Sequence, residues 1–369
     1  MTGQKIKILL VTSRADYGGG PEHVFRLLSG LKNDFDFFVA CPFEEPYFEK
    51  YQNNVLLQKM ISIPHRKFTF SDLSRIKSFI LKNDIQIIHS HGKGAGIYSR
   101  ILAGLTNTKC IHTFHGVHIN QYNGLSKTVY KIIERFLKKR TNAFVSVSQS
   151  EYESVLKNKF ADKNKLHVIE NGVAIPDVSI NENVFYTKPL LITSITRFDY
   201  AKNSSLVINI LDHLAKTNSP DQFKFIFIGK GPEEYSIKIK LKEKKLSSYV
   251  EFTGNLSNPE EILNKSFCYV STSRWEGLPL GMLEAMAIGL PCIATNVTGN
   301  RDIVINQVNG FLFNLTEPQM AANYLTKLSD DLNLWRKFST NARNLTIEKY
   351  SLGSMLEKTK NLYEEINRT

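Results

Sequence analysis

The sequence predicts an α/β protein built from two doubly wound parallel domains. Short apolar runs alternate with stretches of helical period through both halves of the 369-residue chain, the pattern of successive βα units. Several of those runs end in glycine or small polar residues, as strands of an open parallel sheet do where they meet a ligand. The length suits roughly two or three domains.

Composition narrows the class. A hydrophobic content of 42% is ordinary for a globular protein, and no run approaches the ~18 apolar residues that span a bilayer. Residues Met1–Thr12 read as a first strand rather than a secretory signal, because the apolar run is short and a glycine loop follows it. Cys41, Cys110, Cys268 and Cys292 stand singly in apolar runs, which predicts reduced core thiols in a cytoplasmic protein. The net charge of +12 is uneven: residues 1–180 hold 25 Lys and Arg against 15 Asp and Glu, leaving 22 against 20 in the remainder. A basic first half is expected to meet something anionic, either nucleic acid or a membrane surface carrying a lipid diphosphate.

In the first half, residues 6–12 form a strand, and the loop with Gly18, Gly19, Gly20, Pro21 and Glu22 leads into a helix from His23 to Leu31. Val24, Leu27, Leu28 and Leu31 share one face of it. A glycine turn between first strand and first helix is where a parallel sheet meets phosphate; three consecutive glycines are not GxGxxG, so a nicotinamide dinucleotide is not indicated. Phe35–Ala40 is the second strand, and Asp34-Phe35-Asp36 beside it is formally D-x-D but reads as surface acids. Strands ending near Ile88 and Phe114 run into His89-Ser90-His91-Gly92 and His115-Gly116-Val117-His118. Two histidine clusters at successive strand ends suggest a shared site, without a carboxylate or thiol to complete a zinc set. The helix Lys127–Arg140 is expected to pack Val129, Ile132, Ile133, Phe136 and Leu137 inward with its basic face outward; contact with anionic lipid is the alternative. Ala143–Ser148 is a further strand, Asn171-Gly172 a turn, and the stretch Pro176–Pro189 the linker between domains.

The second half restarts with a strand at Leu190–Thr196, whose following loop carries Arg197 and Lys202. Five residues apart on one strand-to-helix loop, these cations can converge on a diphosphate, the arginine as a fork and the lysine as a point charge. Strands ending in Gly229-Lys230-Gly231-Pro232 and in Gly254-Asn255 follow. Phe267–Ser271 is a buried strand, and Thr272–Pro291 contains a loop and a helix in which Leu280, Leu283, Met286 and Ala287 recur at helical spacing. Gly289 is placed to close that helix in a left-handed cap. Glu276 and Glu284 bracket the loop. A helix N-terminus suits phosphate, so acids beside it are expected to serve sugar hydroxyls, and Gly277 allows a close backbone approach.

The phrase Glu276-Gly277-Leu278-Pro279-Leu280-Gly281-Met282-Leu283-Glu284-Ala285-Met286-Ala287 with Gly289 and Pro291 closely resembles the E-x7-E donor signature of glycosyltransferase family 4. Arg197 and Lys202 match that family's G-R-x4-K pattern, with Thr196 in place of its glycine; Thr113-Phe114-His115 resembles its T-F-H. Gly18 and Gly19 match its glycine pair, while Glu22 is shifted from the usual glutamate. The resemblance implies a GT-B fold: an acceptor domain over 1–180, a nucleotide-sugar domain over 181–350, and a helix over 351–369 crossing back, the two domains facing across a cleft. It implies a retaining, metal-independent hexosyltransferase with no cofactor, the nucleotide sugar being a substrate. Arg197 and Lys202 would neutralise the diphosphate, Glu284 hold the ribose, and Glu276 and His115 the donor sugar. Gly18, Gly19, Gly229, Gly231, Asn255, Gly277, Leu278, Pro279 and Leu280 would line the donor, and His91 and Glu22 the acceptor. UDP is the expected nucleotide. A polyprenyl-diphosphate-linked saccharide of O-antigen or capsule synthesis is the expected acceptor, met by a peripheral protein on the inner membrane face. A sugar-nucleotide 2-epimerase of the same fold remains open, separable by product formation without acceptor. A nucleic-acid-binding protein is disfavoured, because aromatic stacking arrays are missing from the sequence.

Overall fold

The computed structural model describes residues 5–117, 119, 123–216 and 220–369; residues 1–4 of the expected first strand and His118 lie outside them. The chain divides into two compact units, Met1–Asn171 with Gly353–Thr369, and Gly172–Leu352. The division falls ahead of the Pro176–Pro189 stretch in which the composition places it.

The first unit holds seven parallel strands: β1 (Lys7–Thr12), β2 (Asp36–Cys41), β3 (Met60–Ser62), β4 (Ile87–His91), β5 (Lys109–Thr113), β6 (Ala143–Ser146) and β7 (Leu166–Val168). Their order is β3-β2-β1-β4-β5-β6-β7. Ile8, Leu9, Leu10 and Val11 of β1 are wholly buried, the continuous apolar run that a sheet covered on both faces demands. The order reverses between β1 and β4, and such a switch point is where an open α/β sheet leaves a crevice at its carboxyl edge. Thr12 pairs with His91, and His91 with Thr113, so the loops leaving β1, β4 and β5 emerge side by side. His89 and His91 lie inside β4 rather than after it, both buried.

The helix Gly19–Leu31 starts ahead of His23, taking Gly19, Gly20 and Pro21 into its first turn, a position that tolerates proline. The C-terminal helix Leu352–Arg368 lays Tyr363 edge-on against Phe35, with ring centroids 5.2 Å apart. Its Lys360 takes up Asp34, and Lys59 takes up Asp36, so both acids of the D-x-D triplet are neutralised by lysines.

One expectation is overturned. The helix Gly124–Leu137 buries Tyr130, Glu134 and Leu137, while Val129, Ile132, Ile133 and Phe136 face solvent. The inward stripe is fixed by polar partners instead. Arg100 donates to Glu134 at 2.6 and 3.1 Å in a fully buried pair. Tyr130 meets Phe160 edge-on at 5.6 Å.

The second unit holds six parallel strands: β8 (Leu190–Ile195), β9 (Phe223–Ile228), β10 (Val250–Gly254), β11 (Cys268–Ser271), β12 (Cys292–Thr295) and β13 (Gly310–Phe313). The order β10-β9-β8-β11-β12-β13 puts its switch point between β8 and β11. Phe223, Phe225 and Phe227 of β9 join Trp335 and Phe338 in one core, and the Trp335 indole donates to the Phe267 carbonyl at 2.9 Å. The helix Leu280–Ala287 is buried on most sides. Gly289 follows it with φ 91°, and its N–H donates to the Met286 carbonyl at 2.9 Å, the left-handed stop its spacing predicts. All four cysteines are free and buried, and burial pushes the Cys41 and Cys110 thiols up to about 12. No helix among the described residues is long and apolar enough to cross a membrane.

Candidate functional site

In the second unit the predicted charged residues converge at the switch point. The chain leaves β8 at Ile195 into a loop whose Arg197 Nε donates to Asp199 Oδ2 at 2.6 Å. The other oxygen of Asp199 accepts from the Lys202 backbone N–H at 3.0 Å, so one carboxylate sets the spacing of both cations. Lys202 Nζ reaches Glu276 Oε1 at 2.7 Å, and that same oxygen accepts from Ser273 Oγ at 2.6 Å. The side chains of Lys202 and Glu276 are 26% and 12% exposed, shielded enough for charge to act strongly and open enough for a ligand to enter.

The β11 loop is tied to the β8 loop through the backbone. Arg274 N–H donates to the Ala201 carbonyl at 2.7 Å, Asn203 Nδ2 to the Thr272 carbonyl at 3.2 Å, and Thr272 Oγ1 to the Lys202 carbonyl at 3.2 Å. From below, Asn300 donates to Thr295 Oγ1 at 3.0 Å, and that hydroxyl donates to the Ser273 carbonyl at 2.6 Å. Ser273, Asp199 and Asn300 are positioning residues that motif spacing did not single out. Their short polar side chains beside strand ends were the signal available.

Two glycines act through close approach. A Cβ on Gly229 would sit 1.8 Å from the Thr196 carbonyl oxygen, and one on Gly231 would sit 2.5 Å from the Phe198 backbone. They clamp the Arg197 loop. Asn255, beyond β10, is exposed. Gly277 opens the turn into the helix Leu280–Ala287, whose first turn has no side-chain cap; Leu278, Pro279 and Leu280 are buried. Glu284 is half-buried in that helix. Tyr269 lies close to both acids: burial first, then the charges of Glu276 and Glu284, raises its phenol above the ordinary value, against the Ile195 backbone bond that lowers it.

In the first unit, His91 Nδ1 lies 3.1 Å from His115 Nε2. His23, which the sequence assigns only to a helix, stands edge-on to His115 with ring centroids 4.7 Å apart; its Nδ1 meets Asn171 Oδ1 at 3.0 Å. His89 is fixed between Tyr363 (2.6 Å) and Thr113 (2.8 Å). Burial holds His23 down to about 4, the Asn171 bond opposing it. His91 and His115 are held well below the usual imidazole value, by burial and then by neighbouring histidines. The cluster is therefore neutral near pH 7 and offers imidazole nitrogens as hydrogen-bond partners. His91 Nε2 is buried with no partner among the described residues.

His115 adopts φ 56°, a left-handed backbone costly for a non-glycine residue. Buried Glu151 pins this turn, accepting from Gly116 N–H and, at 2.8 Å, from Val147 N–H. Ligand nitrogens of His23, His91 and His115 all lie within 4.8 Å of one another. Such a set can hold a zinc-type ion with an open position, though His91 and His115 spend one nitrogen each on their mutual contact. Gly18 caps and Gly19 opens the helix Gly19–Leu31. Glu22 is committed elsewhere, to Arg26 at 2.7 Å, Tyr47 at 2.8 Å and Lys50 at 3.8 Å.

The comparisons divide the chain as the two sheets do. The family described as Glycosyltransferase Family 4 matches residues 17–175, and that described as Glycosyl transferases group 1 matches residues 177–345. A UDP-Gal:alpha-D-GlcNAc-diphosphoundecaprenol alpha-1,3-galactosyltransferase of Escherichia coli is 28% identical, covering 98% of this chain and 97% of its own. The O-antigen biosynthesis glycosyltransferase WbnH of Escherichia coli is 23% identical over 92% of this chain and 96% of its own. Among solved structures, Anabaena Alr3699/HepE in complex with UDP and glucose superposes with a TM-score of 0.83 at 15% identity, covering 98% of this chain and 100% of that one; at that identity the likeness concerns the fold.

Proposed function

This chain belongs to glycosyltransferase family 4, with the GT-B fold, and on that premise we propose that it transfers a hexose, with retention and without a metal, from UDP to a polyprenyl-diphosphate-linked saccharide of surface-polysaccharide synthesis. The galactosyltransferase relative takes UDP-Gal and a diphosphoundecaprenol-linked GlcNAc by its name, which supports both the nucleotide and the acceptor class. WbnH, an O-antigen enzyme by name, supports the pathway class.

The observation that carries the reading is the Asp199–Arg197–Lys202–Glu276 constellation at the β8/β11 switch point. A departing UDP gains negative charge on its β-phosphate as the bond to the anomeric carbon breaks. Arg197 and Lys202 meet that charge as preorganised cations. Glu276 accepts from a donor-sugar hydroxyl and releases Lys202 towards phosphate, while Glu284 takes the ribose. His115 and His91, neutral and enclosed, offer nitrogens to sugar hydroxyls. The acceptor oxygen bonds to the anomeric carbon on the face that UDP leaves, and its proton passes to the departing phosphate. The basic first half supports peripheral contact with anionic membrane.

The test is a transfer assay with UDP-hexoses and a lipid-linked acceptor. Replacing Arg197→Ala with Lys202→Ala is expected to lower kcat by about 10²–10³ per donor lost and donor affinity far less. Activity is expected to survive EDTA, and the product's anomeric coupling to match the donor's. Near-wild-type turnover of the double variant rejects the assignment of the cations. Loss of activity in EDTA rejects metal independence, and an inverted product rejects retention.

A further inference from the structure

We infer that the helix Gly124–Leu137 is a docking surface for an anionic lipid bilayer, lying in the plane of the headgroups with its apolar ridge pushed inward. The inference deepens the lipid-linked-acceptor reading and rests on it for its purpose; the surface itself is argued from the structure.

Leu125, Val129, Ile132 and Phe136 follow one another at spacings of four, three and four, which stacks them along one line of a helix. They are 79%, 46%, 60% and 64% exposed. Ile133 lies on the flank of the line and is exposed as well. A ridge of large side chains along one helix is a contiguous apolar surface, not the scatter of single residues ordinary on a protein exterior.

The helix does not turn this ridge outward for want of an inward face. Tyr130, Glu134 and Leu137 form a separate buried stripe, locked by the enclosed Arg100–Glu134 pair and by Lys93, whose ammonium stands 4.3 Å from the Tyr130 ring centroid. Rolling the helix to bury the ridge would expose an ion pair that now satisfies itself, and would leave the Arg100 charge enclosed without its partner. The outward orientation is therefore specified by the sequence.

Charge decides what covers the ridge. Residues 123–140 contain six basic side chains, Lys127, Lys131, Arg135, Lys138, Lys139 and Arg140, and one acid, Glu134, which is buried. Arg135 and Lys139 are exposed beside the ridge, Lys127 and Lys131 are half-buried towards the inward stripe, and Lys138 is paired with Asp162 at 2.7 Å. A second copy meeting this face across a two-fold axis would set like charges against one another. A bilayer rich in anionic headgroups offers hydrocarbon to the ridge and phosphate to its flank, the arrangement of an interfacial amphipathic helix.

The test uses the full chain without nucleotide sugar. It is sedimented with vesicles of phosphatidylcholine alone or with phosphatidylglycerol added. Wild type is expected to bind the phosphatidylglycerol vesicles at least tenfold more tightly than the neutral ones. Ile132→Glu with Phe136→Glu is expected to weaken that binding more than tenfold, and Lys131→Gln with Arg135→Gln and Lys139→Gln to remove the preference for phosphatidylglycerol. Ile132, Phe136, Arg135 and Lys139 are exposed and Lys131 is half-buried, so both variants should melt close to the wild-type temperature. Unchanged vesicle affinity in the Ile132/Phe136 variant overturns the inference, as does equal binding of wild type to both vesicles. A dimer that dissociates in that variant, without vesicle binding by wild type, overturns it in favour of self-association. Each of those failures leaves the transferase assay standing. Vesicle binding by a protein with no transferase activity would sink the transferase reading alone.

Discussion

The Glu276 carboxylate does two things at once: it holds Lys202 in place and keeps its charge balanced. A lysine carried this way is already oriented when phosphate arrives, so little reorganisation is left for the reaction itself. Removing Glu276 as Glu276→Gln is expected to leave a free cation, raising affinity for UDP alone while lowering kcat with the full donor; calorimetric titration beside a turnover assay separates the two effects. The histidines carry a pH signature. An imidazole in the unfolded chain takes up a proton near 6.5, whereas burial keeps His23 unprotonated down to about 4. The unfolded state therefore binds more protons between those values, and stability falls as the pH drops through that window. For His23 alone this amounts to roughly 3 kcal/mol. His89, His91, His112 and His115 are lowered in the same direction and add to the loss. The urea midpoint is expected to decrease steeply from pH 7 to 5; a flat midpoint would contradict neutral, enclosed rings.

At the scale of elements, the sheet edge is shaped by turns that tolerate no side chain. Gly299 has φ 84°, and a Cβ there would sit 2.6 Å from Glu276 Cβ and 2.8 Å from its backbone. Gly299→Ala is expected to cost about 1–3 kcal/mol and to reduce turnover tenfold or more by displacing Glu276 and with it Lys202; a stable, fully active variant would show that the turn can yield. This glycine was not legible as a site residue, because nothing in Thr298-Gly299-Asn300 reports what lies across the loop. The strands were legible, since runs such as Cys292–Thr295 need only their own neighbours to be recognised. Strand order was not, and it is the order that brings Lys202 to Glu276 across 74 residues. The helix Gly124–Leu137 misled for the same reason: its apolar residues satisfy a core-facing period, while Arg100, contributed by a different helix, decides which way it turns.

In the whole molecule, the donor constellation and the histidine cluster belong to different units, each with its own sheet and core. A nucleotide held, as proposed, by Arg197, Lys202 and Glu284 would stabilise Gly172–Leu352 directly. Calorimetry with UDP at a hundred times its Kd is expected to add about 2.7 kcal/mol to the transition of that unit, ahead of any shift in the other. Equal shifts in both would place nucleotide contacts in each.

The discontinuity of the first unit fixes an order of events at the ribosome. Residues up to Asn171 emerge before Gly172–Leu352, yet the ring that backs His89 and covers Phe35 belongs to Tyr363. Nascent chains shorter than that can assemble the half proposed to hold the nucleotide while the half proposed to receive the acceptor still lacks its last wall. A premature stop in the final helix would therefore spare nucleotide capture and abolish transfer.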